Sequence, residues 1–297
     1  MQTRAEEQGL SYWISQKVRD YKMLVKLRLS MTVVFSSIMA FLIAAESPNW
    51  LAVLILGAGG FLVTGAANAL NQALEKDYDR LMKRTADRPI AAGRMSVSEA
   101  VMAAGMMSLV GITFLAMFNP WTAFFGTFSL VLYAFLYTPM KRISPAAVMI
   151  GAIPGALPTL IGCVAAEGQL TFLALALFTL QFLWQFPHFW SIGWLGFDDY
   201  HKAGYKIMPV RNEQVDRGVG QQAFVYALFL LPVSLIPYYL GVSGLVSAVI
   251  VLSLSLAYAG FGWNFYKKWD RKSALMLMFF SFFYIPVSLL AYFADKI

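Results

Sequence analysis

The chain alternates long apolar runs with short polar connections. Runs of spanning length lie at about 29–45, 50–74, 97–118, 121–140, 145–166, 170–195, 222–241, 243–263 and 273–293. Each is close to or above the roughly 20 apolar residues that a helix needs to cross a bilayer. The pattern predicts an all-α polytopic membrane protein with nine transmembrane helices. Ahead of them, residues 10–28 mix Leu10, Tyr12, Trp13, Ile14 and Val18 with Lys17, Arg19, Lys22 and Lys26, the pattern of an amphipathic helix lying at the interface. The expected organisation is an N-terminal segment, 1–28, followed by one transmembrane domain, 29–297.

Composition agrees. Of the 297 residues 59% are hydrophobic and only 13% charged, with mean hydropathy +0.62. Soluble domains run near 45–50% apolar and about 25% charged, so this chain cannot cover a water-facing surface. A single cysteine, Cys163, excludes a disulfide framework and reads as a small core residue. The net charge of +7 suggests a nucleic-acid partner only until its distribution is read: 22 of the 23 Lys and Arg fall in the N-terminal segment and the connections after spans 2, 4, 6 and 8. Lys296 alone lies on the other side. By the positive-inside rule the N-terminus is cytoplasmic and the C-terminus outside, and no nucleic-acid partner is expected. The N-terminus carries Glu6, Glu7 and Asp20 and reads as neither a cleavable signal nor a transit peptide.

The outer connections, near 46–49, 119–120, 167–169 and 241–243, are very short, whereas two inner ones, 75–96 and 196–221, are long. These lie about 120 residues and four helices apart, which suggests a four-helix repeat plus one helix, each unit bringing a polar loop to a common cytoplasmic mouth. Long, chemically dense loops in a terse protein are where function is expected.

The first loop reads NQALEKDYDRLMKRTADRP. If span 2 continues through it, Asn71, Glu75 and Asp79 share one helix face while Asp77 points elsewhere. Oxygen donors stacked at a membrane boundary call for a cation, and hard oxygen ligands suit Mg²⁺ with phosphate oxygens. Arg84 and Arg88 could hold phosphate. The second loop, FDDYHKAGYKIMPV, offers Asp198, Asp199 and Lys202 as a second metal and phosphate arm. Lys141 and Arg142 of YTPMKR, like Lys26 and Arg28, serve either as topological anchors or as cations for a polyanion. His188, within WQFPHFW, is either a functional group or a packed residue. In span 5, Gly151, Pro154, Gly155, Pro158 and Gly162 provide either close helix packing or room for a large flat ligand.

The run from Asn71 through Glu75 and Asp79 to Met82, Arg84, Thr85, Arg88 and Pro89 resembles the first aspartate-rich motif of the UbiA superfamily of intramembrane prenyltransferases. Its continuation, YTPMKR, the Pro187-His188-Phe189-Trp190 run, and Asp199 to Val210 resemble the haem O synthase (protohaem IX farnesyltransferase) branch in particular. Two departures stand out: Glu75 replaces the usual aspartate, and adjacent Asp198 and Asp199 replace a spaced pair. The resemblance implies a ring of nine helices around a central cavity with a cytoplasmic mouth, in a bacterial inner membrane. It implies farnesyl diphosphate and haem B as substrates, haem O as product on the way to haem A, and Mg²⁺ as cofactor. Contact with a partner that makes haem A is left open. The metal would fall to Glu75, Asp79, Asp198 and Asp199, with Asn71, Glu75, Asp79 and Asp199 catalytic. Diphosphate would fall to Arg84, Arg88, Lys141, Arg142 and Lys202, and haem to His188. The alternatives are a UbiA-type enzyme with another ring acceptor, and a transporter of an anionic solute. The transporter is disfavoured because the charges gather at the mouth rather than the midplane.

Overall fold

The computed structural model describes residues 2–297, with side chains from Tyr12 onward, so the side chains of Arg4, Glu6, Glu7 and Leu10 lie outside the described residues. Helix α1 (Gln2–Leu24) precedes α2 (Leu27–Ala44), α3 (Trp50–Leu74), the short α4 (Lys76–Asp79), α5 (Val97–Ala116) and α6 (Pro120–Met140). Then come α7 (Ala147–Glu167), α8 (Phe172–Leu195), the short α9 (Phe197–Lys202), a hairpin of β1 (Val210–Arg211) and β2 (Gln214–Val215), α10 (Gly218–Tyr239), α11 (Leu245–Lys268) and α12 (Arg271–Ala294). Among the described residues nine helices are long and apolar enough to cross a membrane, matching the nine apolar runs to within a few residues at each end. Several starts are fixed by side-chain caps. Asn49, Asn119, Thr171 and Asp270 each accept backbone N–H groups that the first turn leaves without partners.

The nine spans neighbour one another in chain order: α2–α3–α5–α6–α7–α8–α10–α11–α12, with α12 returning to α2. The ring is closed, and α2–α7 and α8–α12 contacts cross it. The repeat is visible in these relations. In the first unit α2 packs on α3, α3 on α5 and α5 on α6; in the second, α7 on α8, α8 on α10 and α10 on α11. Side chains such as Leu54, Met102, Leu109, Phe135, Phe172 and Phe283 cover the outside, as a lipid-facing surface requires.

Helix α1 buries Leu24 and, on its polar side, Asp20. Lys17 pairs with Glu99 at 2.9 Å, and Asp20, buried, accepts from Arg94 at 2.9 Å. Tyr12, Trp13, Ile14 and Val18 remain exposed. Lys296, beyond the end of α12, closes the ring: its Nζ donates to Leu42 O and Ala45 O. It thereby satisfies carbonyls at the C-terminal end of α2 and ties the last span to the first.

The glycines of α7 pack rather than leave space. A β-carbon on Gly151 would come within 2.6 Å of the Tyr137 ring, one on Gly155 would collide with Gln185 Oε1, and one on Gly162 with Ser37 O of α2. These faces therefore offer no room for a flat ligand. The prolines are accommodated as well: Pro158 leaves Pro154 O without its helical donor, and Ser129 Oγ of α6 donates to it at 3.4 Å. Cys163 is buried beside Ala40, a core residue as expected. Gly162→Ala should force α2 and α7 apart. The expected loss is about 1–3 kcal/mol, read as a lower unfolding midpoint in detergent; an unchanged midpoint would show that this helix pair is not close-packed.

Candidate active site

The site begins at the turn between α1 and α2, where Lys26 takes a left-handed backbone conformation (φ 47°, ψ 58°) that is unfavourable for a residue with a β-carbon. Helix α3 holds it there. Gln72 Nε2 donates to Met23 O and Leu24 O, both at 2.9 Å, and Asn68 Nδ2 donates to Val25 O at 3.3 Å and to Ser30 Oγ at 3.2 Å. Clamped in this way, Lys26 sends its Nζ inward to Asn71 Oδ1 at 3.1 Å. Burial, with Arg88 and Lys141 nearby, holds the Lys26 ammonium well below the usual lysine range.

Helix α3 does not run unbroken through the first loop. It ends at Leu74, Glu75 departs from helical geometry (φ −102°, ψ 6°), and α4 resumes at Lys76. The hydrogen-bond ladder nevertheless survives the break, with Glu75 N donating to Asn71 O at 3.0 Å and Asp79 N to Glu75 O at 2.8 Å. Asn71, Glu75 and Asp79 therefore stay on one face and are buried, with exposures of 1%, 2% and 1%. Asp77 points outward and pairs only loosely with Arg80, at 3.6 Å, as the helical spacing predicts.

Each buried oxygen donor has its own cation. Lys141 Nζ lies 2.5 Å from Glu75 Oε1. Arg88 Nη1 donates to both oxygens of Asp79, at 2.8 and 2.7 Å. Lys26 takes Asn71, whose Nδ2 donates to Thr138 Oγ1 at 3.1 Å. Thr138 is set for this by a π-helical turn at Leu132–Tyr137, which brings its hydroxyl to Tyr133 O at 2.8 Å; such turns often mark functional positions. Burial alone would raise Glu75, yet Lys141, with Lys26 and Arg88 behind it, holds it below the ordinary glutamate range. Burial pushes Asp79 above the aspartate range; Arg88 opposes the rise and Glu75 adds to it. YTPMKR is thus more than an anchor: Thr138 orients Asn71, Lys141 neutralises Glu75, and Arg142 lies 4.6 Å from the centre of the Tyr78 ring.

The second loop closes over this cluster. Helix α9 ends in a Schellman motif: Gly204, at φ +76°, donates to His201 O at 2.9 Å, and Tyr205 N donates to Tyr200 O at 2.9 Å. The accompanying apolar contact is the Tyr200–Tyr205 ring pair, with centroids 6.1 Å apart. The motif turns Tyr205 inward, where it forms a small cluster with Met82 and Ala203, flanked by Tyr78 and Tyr200. Lys206 N donates to Lys141 O at 2.7 Å. Arg84 Nη2 donates to Tyr200 Oη at 2.8 Å and covers its ring at 5.4 Å. Burial, reinforced by Glu75 and Asp79, pushes the Tyr205 phenol far above its ordinary range, so it stays protonated. The two loops share one mouth, as their spacing suggests.

Arg88 and Lys141, read in the sequence as diphosphate cations, pair with Asp79 and Glu75, because buried carboxylates need counter-ions. Arg84 is likewise engaged, with Tyr200. Among the described residues no three acids, histidines or cysteines form a ready group for an ion: Glu75 and Asp79 lie at the end of α3 and in α4, and Asp198 and Asp199 lie on α9. Asp198 is exposed and lines a separate cavity of about 310 Å³ with Trp194, Glu213 and Trp269; Asp199 is half-buried and Lys202 exposed. The donors on α3 and α4 are nonetheless all oxygen, the chemistry that Mg²⁺ selects.

His188 stands apart from the charged cluster, in the seam between α8 and α12. Its ring stacks on Trp184 (centroids 4.9 Å apart) and meets Phe282 edge-on, and its Nδ1 lies 2.7 Å from Ser281 Oγ. Ser281 Oγ also lies 2.5 Å from Met278 O, an acceptor for its proton when Nδ1 is the donor. In the neutral ring Nε2 then keeps its lone pair.

Sequence reasoning left Lys26 undecided and missed Thr138, Tyr205 and the clamp of Asn68 and Gln72. The signal for the clamp was present: Asn68, Asn71 and Gln72 fall at i, i+3 and i+4 within an apolar span, one polar face that had to find partners. Arg88→Met should strand Asp79 and cost about 3–5 kcal/mol, measured by thermal unfolding in detergent. Arg88→Met with Asp79→Asn should recover much of that loss; equal losses in the single and double variants would show that the pair is not coupled.

The chain matches the model of the UbiA prenyltransferase family over residues 32–284. It is 41% identical to the protoheme IX farnesyltransferase of Christiangramia forsetii over 282 residues, 93% of each chain. It is 39% identical to that of Cytophaga hutchinsonii over 286 residues, 96% of this chain and all of that one. The fold is similar to that of a digeranylgeranylglyceryl phosphate synthase (TM-score 0.79, 17% identity, 94% of this chain and 98% of that one). It is also similar to a UbiA homologue from Archaeoglobus fulgidus bound to GPP and Mg²⁺ (TM-score 0.65, 14% identity, 92% and 99%). The neighbours carry the fold, the family model and the relatives carry the lineage, and the chain belongs to the UbiA prenyltransferase family.

Proposed function

We propose that the protein transfers the farnesyl group of farnesyl diphosphate to a vinyl group of haem B, giving haem O. The observation that carries this reading is the buried mouth where Asn71, Glu75 and Asp79 each face a cation, Lys26, Lys141 and Arg88. A diphosphate entering there gives the cations a stronger partner and frees the oxygen donors. Glu75 and Asp79, with Asn71 beside them and Asp199 from the second loop, would hold Mg²⁺, which when bound adds positive charge against the leaving diphosphate. Lys26, Arg88 and Lys141 stabilise the charge that develops as the allylic carbon–oxygen bond breaks. The rings of Tyr133 and Tyr137, 5.3 Å apart beside Lys141, present aromatic faces to the cation that forms and help keep water away. The haem vinyl group attacks the allylic carbon, and water adds to the resulting cation with release of one proton to solvent. No protein nucleophile is required. The mouth faces the cytoplasm of a bacterial cell, in keeping with its concentration of bases.

The acceptor is the less constrained half. We assign its orientation to His188, because its Nδ1 contact with Ser281 suits the tautomer with a free lone pair on Nε2, the state that ligates iron. A UbiA-type enzyme with another ring acceptor shares the diphosphate half and differs only here. Membranes containing the protein, supplied with farnesyl diphosphate, Mg²⁺ and haem B, should yield haem O by mass. A farnesylated product with another ring acceptor, and none with haem, would overturn the acceptor assignment.

Asp79→Asn and Asp199→Asn should each lower turnover at least about 100-fold, whereas Asp77→Ala should stay near the parent value; equal losses in all three would refute the one-face arrangement. His188→Ala should shift the absorption bands of bound haem while farnesyl diphosphate affinity holds. Unchanged bands with unchanged turnover would return His188 to packing.

A further inference from the structure

Tyr205 carries a contradiction at rest. It is 6% exposed, yet its hydroxyl has no hydrogen-bond partner. An unsatisfied buried hydroxyl destabilises a protein, and phenylalanine would fill the same space without that cost. The rest of the residue is closely determined. The Schellman motif of α9 turns it inward, its ring packs between Tyr78 (5.9 Å) and Tyr200 (6.1 Å), and Lys141 Nζ lies 5.5 Å from its centre. Through Met82 and Tyr78 it touches the loop that bears Asp79. A fixed, neutral donor is thus held beside Lys141, and the acceptor it faces, the Glu75 carboxylate, is already engaged by that lysine.

We propose that the Tyr205 hydroxyl donates a hydrogen bond to the diphosphate of the bound prenyl substrate, exchanging its poorly aligned approach to the lysine-paired Glu75 carboxylate for a well-formed bond in the complex. The proposal rests on the prenyl diphosphate reading above and adds a contact from the second loop. A neutral phenol suits the position. It adds no charge to a cluster whose cations already compete with one another, and a charge-assisted bond to a phosphate oxygen is among the stronger hydrogen bonds.

Tyr205→Phe isolates the oxygen, since the ring and its contacts with Tyr78, Tyr200 and Lys141 are kept. Purified protein in nanodiscs would be compared with the variant in two measurements: the unfolding midpoint without ligand, and the affinities for inorganic pyrophosphate and farnesyl diphosphate by calorimetry with Mg²⁺ present. The midpoint should be equal or higher, and both affinities should fall about tenfold. A purely structural hydroxyl would give the opposite pattern, a lower midpoint with unchanged affinities, and that result overturns the proposal. So do unchanged affinities at any midpoint. Failure of the unsubstituted protein to bind either diphosphate would instead overturn the prenyl diphosphate reading, and Tyr205 with it.

Discussion

Charge placed at a membrane boundary must be neutralised locally, and much of the mouth follows from that constraint. Glu75 and Asp79 are almost fully buried, and each is met by one base from another part of the chain, Lys141 from the end of α6 and Arg88 from the loop after α4. The amide of Asn71 is drawn into the same system by Lys26 and Thr138. Because breaking a buried pair costs far more than exchanging its partners, such a cluster is well suited to receive a ligand that carries its own charges. Anion and metal can replace base and acid pairwise, with no charge stranded on the way.

What the second loop packs against the first is two rings, Tyr200 and Tyr205. Tyr78, Tyr200 and Tyr205 form an aromatic floor that joins the loops, and Arg142, Arg84 and Lys141 lie over those three rings in turn. Cation–π contacts hold a guanidinium or ammonium group in place without consuming its charge. That is how cations can be positioned near a binding site before any anion arrives. The acids Asp198 and Asp199, conspicuous in sequence, are the less buried part of this loop.

The spans were legible because a bilayer permits few solutions: a run near twenty apolar residues must be helical, and the bases sort the connections to one side. The face shared by Asn71, Glu75 and Asp79 was legible for a similar reason, since helical periodicity survives the small break at Glu75. The pairings were not. That Lys141 belongs to Glu75, or that Thr138 turns Asn71, depends on which helices meet at the mouth and on a π-helical turn within α6. Spacing alone carries no trace of either. The glycines of α7 show the same limit. Sequence allowed close packing or a wide wall, and only the positions of Ser37, Tyr137 and Gln185 decide for packing.

The clamp of α3 on the α1–α2 turn bears on how the chain enters the membrane. Gln72 and Asn68 bond to residues 23–30, segments that precede them in synthesis. When α3 is inserted, these polar side chains therefore find acceptors already present. Glu75 is different: its base lies 66 residues later, beyond α5 and α6. Until that helix arrives, the carboxylate must stay at the aqueous edge or be protonated. The break in α3 at Glu75 marks where the helix can wait, with its apolar length inserted and its acidic end still wet. Assembly of the mouth is then completed only when the fourth span delivers Lys141.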